Sequence, residues 1–273
     1  MKCNPSAQAD GARIFWLEQS LADVPTEDAW LTPAELDTLC HLRFSKRRED
    51  WRLGRWTAKS CIAAYLGIPS VLQDFSRIEI RSACSGAPFA VLPDEGPTLA
   101  ISLSHRAGKA MCAIAGSNIA VGCDLELIEP RSAAFLSDYF TAEEQALVAG
   151  TSIDKKALFL NMLWSAKESA LKALHLGLRV DTRLLRVCSL DEVDTGIGPH
   201  PIPPSKIESL NDENYAPLSW EPLRITLGHK AALDGWWRVS KPFVRTVVAL
   251  PKEQTRSAAE FLCSESRDFC EFV

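Results

Sequence analysis

The sequence predicts an α+β protein built from two similar lobes, each a small antiparallel sheet packed on a long helix. Three observations predict it. Short stretches recur in the same order about 109 residues apart. Each copy holds one long run with helical apolar spacing, and each also holds strand-like runs bounded by turn residues. The lobes are expected at 1–118 and 119–254, with a polar, charged tail at 255–273 whose sequence also suits a short helix.

The first lobe opens, after twelve polar residues, with a short strand at Arg13-Ile14-Phe15-Trp16-Leu17. Thr32-Pro33-Ala34-Glu35 is a helix start: Thr32 as N-cap, Pro33 at the first helical position, Glu35 closing a capping box. A second helix runs from about Phe44 to Leu66, where Gly67 is the expected C-cap. On it Arg48, Arg52, Arg55 and Lys59 follow i, i+4, i+7, i+11, which makes one basic stripe. Trp51, Ala58, Ile62 and Tyr65 form the adjacent apolar stripe. The basic stripe suits a phosphate-binding surface or an ordinary solvated face. Ser85-Gly86-Ala87-Pro88 reads as a turn, Leu99 to Leu103 as a strand ending at Ser104-His105, and Lys109 to Ala115 as the next strand. Gly116-Ser117-Asn118 reads as a hairpin turn, and Ile119 to Leu127 as the strand after it.

The second lobe repeats this order. Phe140-Thr141-Ala142-Glu143-Glu144 is another capping-box start, and Asp154 caps a long helix that Gly177 ends. Strands are expected at 186–188, 225–227, 236–239 and 246–250, with a loop at 195–217. The repeat pairs Leu31-Thr32-Pro33-Ala34-Glu35 with Phe140-Thr141-Ala142-Glu143-Glu144 (an offset of 140 − 31 = 109). It pairs Trp56-Thr57-Ala58-Lys59-Ser60 with Trp164-Ser165-Ala166-Lys167-Glu168 (164 − 56 = 108) and Leu66-Gly67-Ile68 with Leu176-Gly177-Leu178 (176 − 66 = 110). It also pairs Ile101-Ser102-Leu103-Ser104-His105-Arg106 with Ile225-Thr226-Leu227-Gly228-His229-Lys230. The copies differ where Glu168 replaces Ser60, so one site at the lobe interface is expected.

Composition narrows the chemistry. At 273 residues and 47% apolar content the chain can bury a full core. A net charge of −5 offers no global field for nucleic acid or an anionic membrane, so neither partner is expected. Nine scattered cysteines without a Cys-x-x-Cys pair disfavour a zinc site and a disulfide framework and suit a reducing cytoplasm. No apolar run reaches membrane-spanning length, and the first residues lack a signal-peptide core.

Three carboxylates stand out. Asp124 and Glu126 share one face of a strand whose other face carries Cys123 and Leu125. Their mutual repulsion would be relieved by a cation, although a strand end emerging into solvent would also suit them. Glu168 sits one helical turn before Lys172, which is either an ordinary surface pair or the third carboxylate of an oxygen-only site. Such a site suits magnesium, which takes one or two carboxylates plus substrate phosphates. His105, at a strand end beside Arg106 and near Lys109, is placed to meet a phosphate or to serve the fold. No Walker loop, Rossmann glycine pattern or Ser/His/Asp triad is present.

Val121-Gly122-Cys123-Asp124-Leu125-Glu126 and Trp164-Ser165-Ala166-Lys167-Glu168-Ser169-Ala170-Leu171-Lys172 resemble the two signature motifs of the 4′-phosphopantetheinyl transferases. Gly54-Arg55-Trp56-Thr57-Ala58-Lys59 and Ser102-Leu103-Ser104-His105 resemble motifs of the two-lobed, surfactin-synthetase-activating branch, a pseudo-dimer expected to be a monomer. The resemblance implies transfer of the phosphopantetheine arm of coenzyme A to a serine of an apo acyl or peptidyl carrier protein. Adenosine 3′,5′-bisphosphate is the other product. It implies Asp124, Glu126 and Glu168 as magnesium ligands, and Glu168, Lys172 and His105 as catalytic residues, with Glu144 a second candidate base. It implies Lys46, Arg48, Arg55, Gly86, Pro88, Ser104, His105 and Lys172 as coenzyme A contacts. The turn has Ala87 where the family often carries a basic residue, and nearby Arg81 is a candidate replacement. Charge placement nominates Lys155, Lys156 and Arg179 for carrier recognition. A magnesium-dependent nucleotide diphosphate hydrolase and a non-catalytic carrier-binding paralogue are the competing readings.

Overall fold

The structure, a computed structural model, describes residues 13–69, 72–93, 96–188, 207–210, 219–228 and 231–270, with side chains to 266. β1 (Ile14–Ser20) leads to α1 (Pro33–His41), where the Thr32–Glu35 capping box forms as expected. α2 (Ser45–Leu66) ends at Gly67, whose φ of 68° is a left-handed C-cap that a side chain would strain. A short α3 (Leu72–Phe75) and the hairpin β2 (Glu79–Ser82) and β3 (Pro88–Val91) follow. Then come β4 (Leu99–Arg106), β5 (Lys109–Gly116) and β6 (Ile119–Leu127).

The second half has α4 (Ala133–Tyr139), α5 (Ala142–Gly150) and α6 (Ile153–Ala173). β7 (Leu185–Cys188), β8 (Ile207–Ser209), β9 (Glu221–Leu227), β10 (Ala231–Ser240) and β11 (Phe243–Pro251) precede α7 (Lys252–Cys270). None of the described helices is long and apolar enough to cross a membrane.

Alternation along the strands builds four layers. Leu17, Ile101, Cys112 and Ile114 turn one way, onto Ala58 and Ile62 of α2. Ile14, Trp16, Met111 and Ala113 turn the other way and meet Val121, Cys123, Leu125 and Val247 of the second sheet. The outer face of that sheet, through Ala120, Val244 and Val248, packs on Leu163, Ala166 and Ala170 of α6. Asp124, being even-numbered on β6, therefore faces α6.

The first sheet runs β4-β5-β1-β8 and the second β6-β11-β10-β9-β7. Hairpin β2-β3 lies beside β4, so the two halves list their strands in matching order, with β1 answering to β6, β5 to β11 and β4 to β10. The buried polar contacts match as well. Lys59 Nζ donates to Glu35, Trp30 O and Phe75 O, and Lys167 Nζ donates to Glu144, Tyr139 O and Thr182 O. The second oxygen of Glu35 accepts from Ile80 N, and that of Glu144 from Val187 N.

Several expectations change. The first sheet is mixed, because β8 adds to β1 in parallel. That strand comes from residues 207–209, so the division at 118/119 is not clean, and the 195–217 loop contains a strand. Gly116-Ser117-Asn118 is not a hairpin: β5 and β6 belong to different sheets, and the turn passes the chain between them. The fourth repeat pairing fails, since Ile225–Leu227 lies in β9, whose place in the order answers to β3 and not to β4; His229 and Lys230 lie outside the described residues. Ser152, not Asp154, is the N-cap of α6, and the helix ends at Ala173, before Gly177. The helix that the tail's sequence allowed is long rather than short, and its Ala258 and Leu262 are buried in the core of the second half.

Candidate functional site

The edges of the two sheets meet where β4 packs on β6. Backbone pairing is replaced there by serine side chains: Ser102 Oγ accepts from Cys123 N at 2.9 Å and Ser104 Oγ accepts from Leu125 N at 3.3 Å. Helix α6 lies against the same strand at very short range, because a Cβ on Gly122 would collide with the Ser169 carbonyl oxygen and the Ala173 nitrogen. Hydroxyls finish the contact. Thr246 Oγ1, on the strand beside Asp124, bonds Ser165 Oγ at 2.8 Å and Ser169 Oγ at 2.7 Å.

This packing brings Glu168 and Lys172 to Asp124. Lys172 Nζ donates to Asp124 Oδ1 at 2.7 Å and to Cys123 O at 3.2 Å, and lies 3.8 Å from Glu168 Oε2. Ser104 Oγ donates to the same Asp124 Oδ1 at 2.7 Å. Asp124 is 4% exposed, and its Oδ2 is buried with no hydrogen-bond partner among the described residues. Burial raises the Glu168 carboxyl above the usual carboxylate range, and Asp124 and Glu126 add to that against the pull of Lys172. Burial and Asp124 raise Glu126 likewise, opposed by Arg131, Arg106 and Lys172. Burial works against the charge on Lys172, yet Asp124 and Glu168 leave its ammonium above the usual lysine range. The Cys123 side chain is buried on the other face, its thiol pushed up to about 12 by burial and bonded to Ser102 O and Met111 O.

Among the described residues no three His, Cys, Asp or Glu side chains are close enough together to hold a metal ion. Glu126 is engaged by Arg131 at 2.9 Å and by Arg106 at 3.5 Å. Both arginines also reach Glu129, and Asn161 Oδ1 accepts from Arg131 Nε at 2.8 Å. The sequence reading passed over Arg131, Glu129 and Asn161. Pro130 had marked only a strand end, and a polar residue at Asn161 carried no partner to look for. The donor set still fits a hard divalent cation: it is all oxygen, its carboxylates repel one another, and one buried carboxylate oxygen lacks a partner.

Beside the carboxylates is a cavity of about 550 Å³. Lys46, Arg47 and Arg55 of α2 line it with Ser104 and His105 of β4, and Phe44 and Trp51 supply aromatic walls. The Arg55 guanidinium stacks on Trp51 at 4.7 Å. Other expected residues turn elsewhere. Arg48 donates to Leu39 O at 2.9 Å, Arg52 pairs with Asp28 at 2.8 Å, and Lys59 is buried against Glu35, so the basic stripe is not one exposed face. Glu144 is fully buried with both oxygens bonded, which removes it as a base. Gly86 sits in the β2–β3 turn and Pro88 begins β3, and neither is among the residues lining the cavity. Arg81 is held by Glu79 at 2.8 and 3.0 Å, so it does not stand in for a basic residue at Ala87. Lys155 and Arg179 are exposed, and Arg179 Nη2 donates to Ser85 O across the two halves at 3.1 Å.

Residues 120–215 match the family model of the 4′-phosphopantetheinyl transferase superfamily, ACPS. The matched segment starts on β6 and contains Asp124, Glu126, Glu168 and Lys172. The cavity residues on α2 and β4 precede it. Among solved structures the chain is similar to a holo-(acyl-carrier-protein) synthase from Bacillus anthracis str. Ames, solved in complex with CoA (3′,5′-ADP). That likeness has 22% identity and a TM-score of 0.33, covering 38% of this chain and 93% of that one. No curated protein sequence matches the chain.

Proposed function

We propose that the protein transfers the 4′-phosphopantetheine arm of coenzyme A to a serine of an apo acyl or peptidyl carrier protein and releases adenosine 3′,5′-bisphosphate. One observation carries the reading: in the segment that matches the superfamily, Lys172 reaches both Asp124 and Glu168, and Ser104 ties Asp124 to a cavity lined by Lys46, Arg47 and Arg55. The two-lobed branch is supported by the matching strand order and by the paired Lys59–Glu35 and Lys167–Glu144 contacts. A molecule that carries both halves in one chain is expected to be a monomer in the cytoplasm.

Asp124, Glu126 and Glu168 would hold magnesium, which when bound polarises the diphosphate as a Lewis acid. Lys46, Arg55 and His105 grip the 3′-phosphate and the adenosine end, with Arg55 held flat by Trp51. Lys172 supplies positive charge to the diphosphate. The carrier serine oxygen attacks the β-phosphorus. The phosphorus–oxygen bond to the nucleotide breaks, and the bridging oxygen leaves with adenosine 3′,5′-bisphosphate. Glu168, whose carboxyl burial holds above the usual range, takes the serine proton directly or through one water.

The test is the intact mass of an apo carrier protein incubated with the enzyme, coenzyme A and magnesium. The expected result is the gain of one phosphopantetheine group, lost with chelator and with Glu168→Gln. Release of free phosphopantetheine without any carrier would instead support the hydrolase.

A further inference from the structure

We infer that Ser104 is a positioning residue, which aims Asp124 at a divalent cation and does not bind the substrate's phosphate. The inference rests on the transferase reading above. A hydroxyl has one proton to give, and Ser104 gives it to Asp124 Oδ1 at 2.7 Å. It also accepts from Leu125 N at 3.3 Å, and the residue is buried. Although Ser104 lines the cavity, its proton is already committed. The resemblance had assigned it to the coenzyme; its contacts assign it to the carboxylate.

The effect on Asp124 follows from counting donors. Oδ1 receives two, Ser104 from β4 and Lys172 from α6, which arrive from different elements and fix the carboxylate's rotation. Oδ2 is left buried and unpartnered. A buried carboxylate oxygen with no donor is costly unless something completes it. The Lys172 ammonium that reaches Asp124 also lies 3.8 Å from Glu168 Oε2, so a hard dication completing Oδ2 would have a second carboxylate near it. Because Ser104 belongs to the first sheet and Asp124 to the second, the seam between the halves orients the ligand. Ser102 offers an internal control. It lies two residues earlier on the same face and accepts from Cys123 N, and among the described residues it bonds no carboxylate.

The experiment uses the full chain and two ligands measured separately. Mn²⁺ binding is followed by electron paramagnetic resonance, and adenosine 3′,5′-bisphosphate binding by calorimetry in chelator. Ser104→Ala should weaken Mn²⁺ at least tenfold and change nucleotide affinity less than twofold. Ser104→Thr, which keeps the hydroxyl, should restore Mn²⁺ binding. Ser102→Ala should lower the melting temperature about as much as Ser104→Ala while keeping wild-type Mn²⁺ affinity. Ser104→Cys, a poorer donor, gives a milder loss of the same sign and replaces the alanine variant should that one fail to fold. Unchanged Mn²⁺ binding in Ser104→Ala overturns the inference, as does a tenfold loss of metal-free nucleotide binding. A wild-type protein that binds no Mn²⁺ at all sinks the metal site of the proposed function, a different failure from these.

Discussion

Lys167 donates to Glu144 at 2.6 Å with neither side chain reached by solvent. Burial pushes the Lys167 ammonium below the usual lysine range, and Glu144 holds it charged against that pressure. Removing one partner strands the other. Lys167→Met should cost about 3–5 kcal/mol in urea unfolding, and Lys59→Met a similar amount against Glu35. The pair variant Lys167→Met with Glu144→Leu should cost clearly less than the sum of its singles. Additive losses would show that the two side chains contribute independently.

Glu18 gives stability a pH signature. Burial alone would raise its carboxyl, but bonds from Arg245 and Lys109 bring it below the usual range. A depressed carboxyl stabilises the fold above its unfolded value and loses that contribution as pH falls through the folded value. The stability gap between wild type and Glu18→Gln should therefore be flat from pH 7 to about 5 and shrink below about 4.5. Urea titrations at several pH values measure it; a gap that widens on acidification would contradict the assignment.

Gly122 separates packing from chemistry. A methyl group there meets helix backbone, which cannot rotate away. Gly122→Ala should cost about 1–3 kcal/mol and displace the helix that carries Glu168 and Lys172. Transferase turnover should fall even where circular dichroism shows the protein still folded. Wild-type turnover in a destabilised but folded variant would mean that this approach does not set the site.

Gly54 tests the cavity. It lines the pocket from the middle of α2, and a Cβ there would have open space around it. Gly54→Ala should stabilise the helix by roughly 0.5–1 kcal/mol. Gly54→Leu should fill the cavity and raise the KM for coenzyme A at least tenfold with little change in melting temperature. An unchanged KM would place the nucleotide elsewhere.

Local signals read well in the sequence where neighbours decide the structure. The Thr32–Glu35 and Thr141–Glu144 boxes, the Gly67 cap and the bounds of β6 follow from residues a few positions apart. Alternation also placed Asp124 opposite Cys123 correctly. Long-range facts were not legible. Helical spacing put Lys59 on a stripe with Arg52, but Glu35, 24 residues away, draws it inside. Nothing local distinguishes a turn that pairs its flanking strands from Gly116-Ser117-Asn118, which passes the chain to another sheet. Arg131 gained its role only when Asn161 on α6 came alongside it.

β8 has a consequence for how the molecule can be divided. Residues 207–209 leave the second half to extend the first sheet beside Ile14, Phe15 and Trp16. A polypeptide cut between 118 and 119 would leave the earlier fragment with an uncovered strand edge and the later one with a strand it cannot use. Expressed together, the fragments should recognise each other through that missing strand and rebuild a working enzyme; expressed alone, the first should aggregate. The borrowed strand thereby makes each half depend on the other for a finished sheet edge.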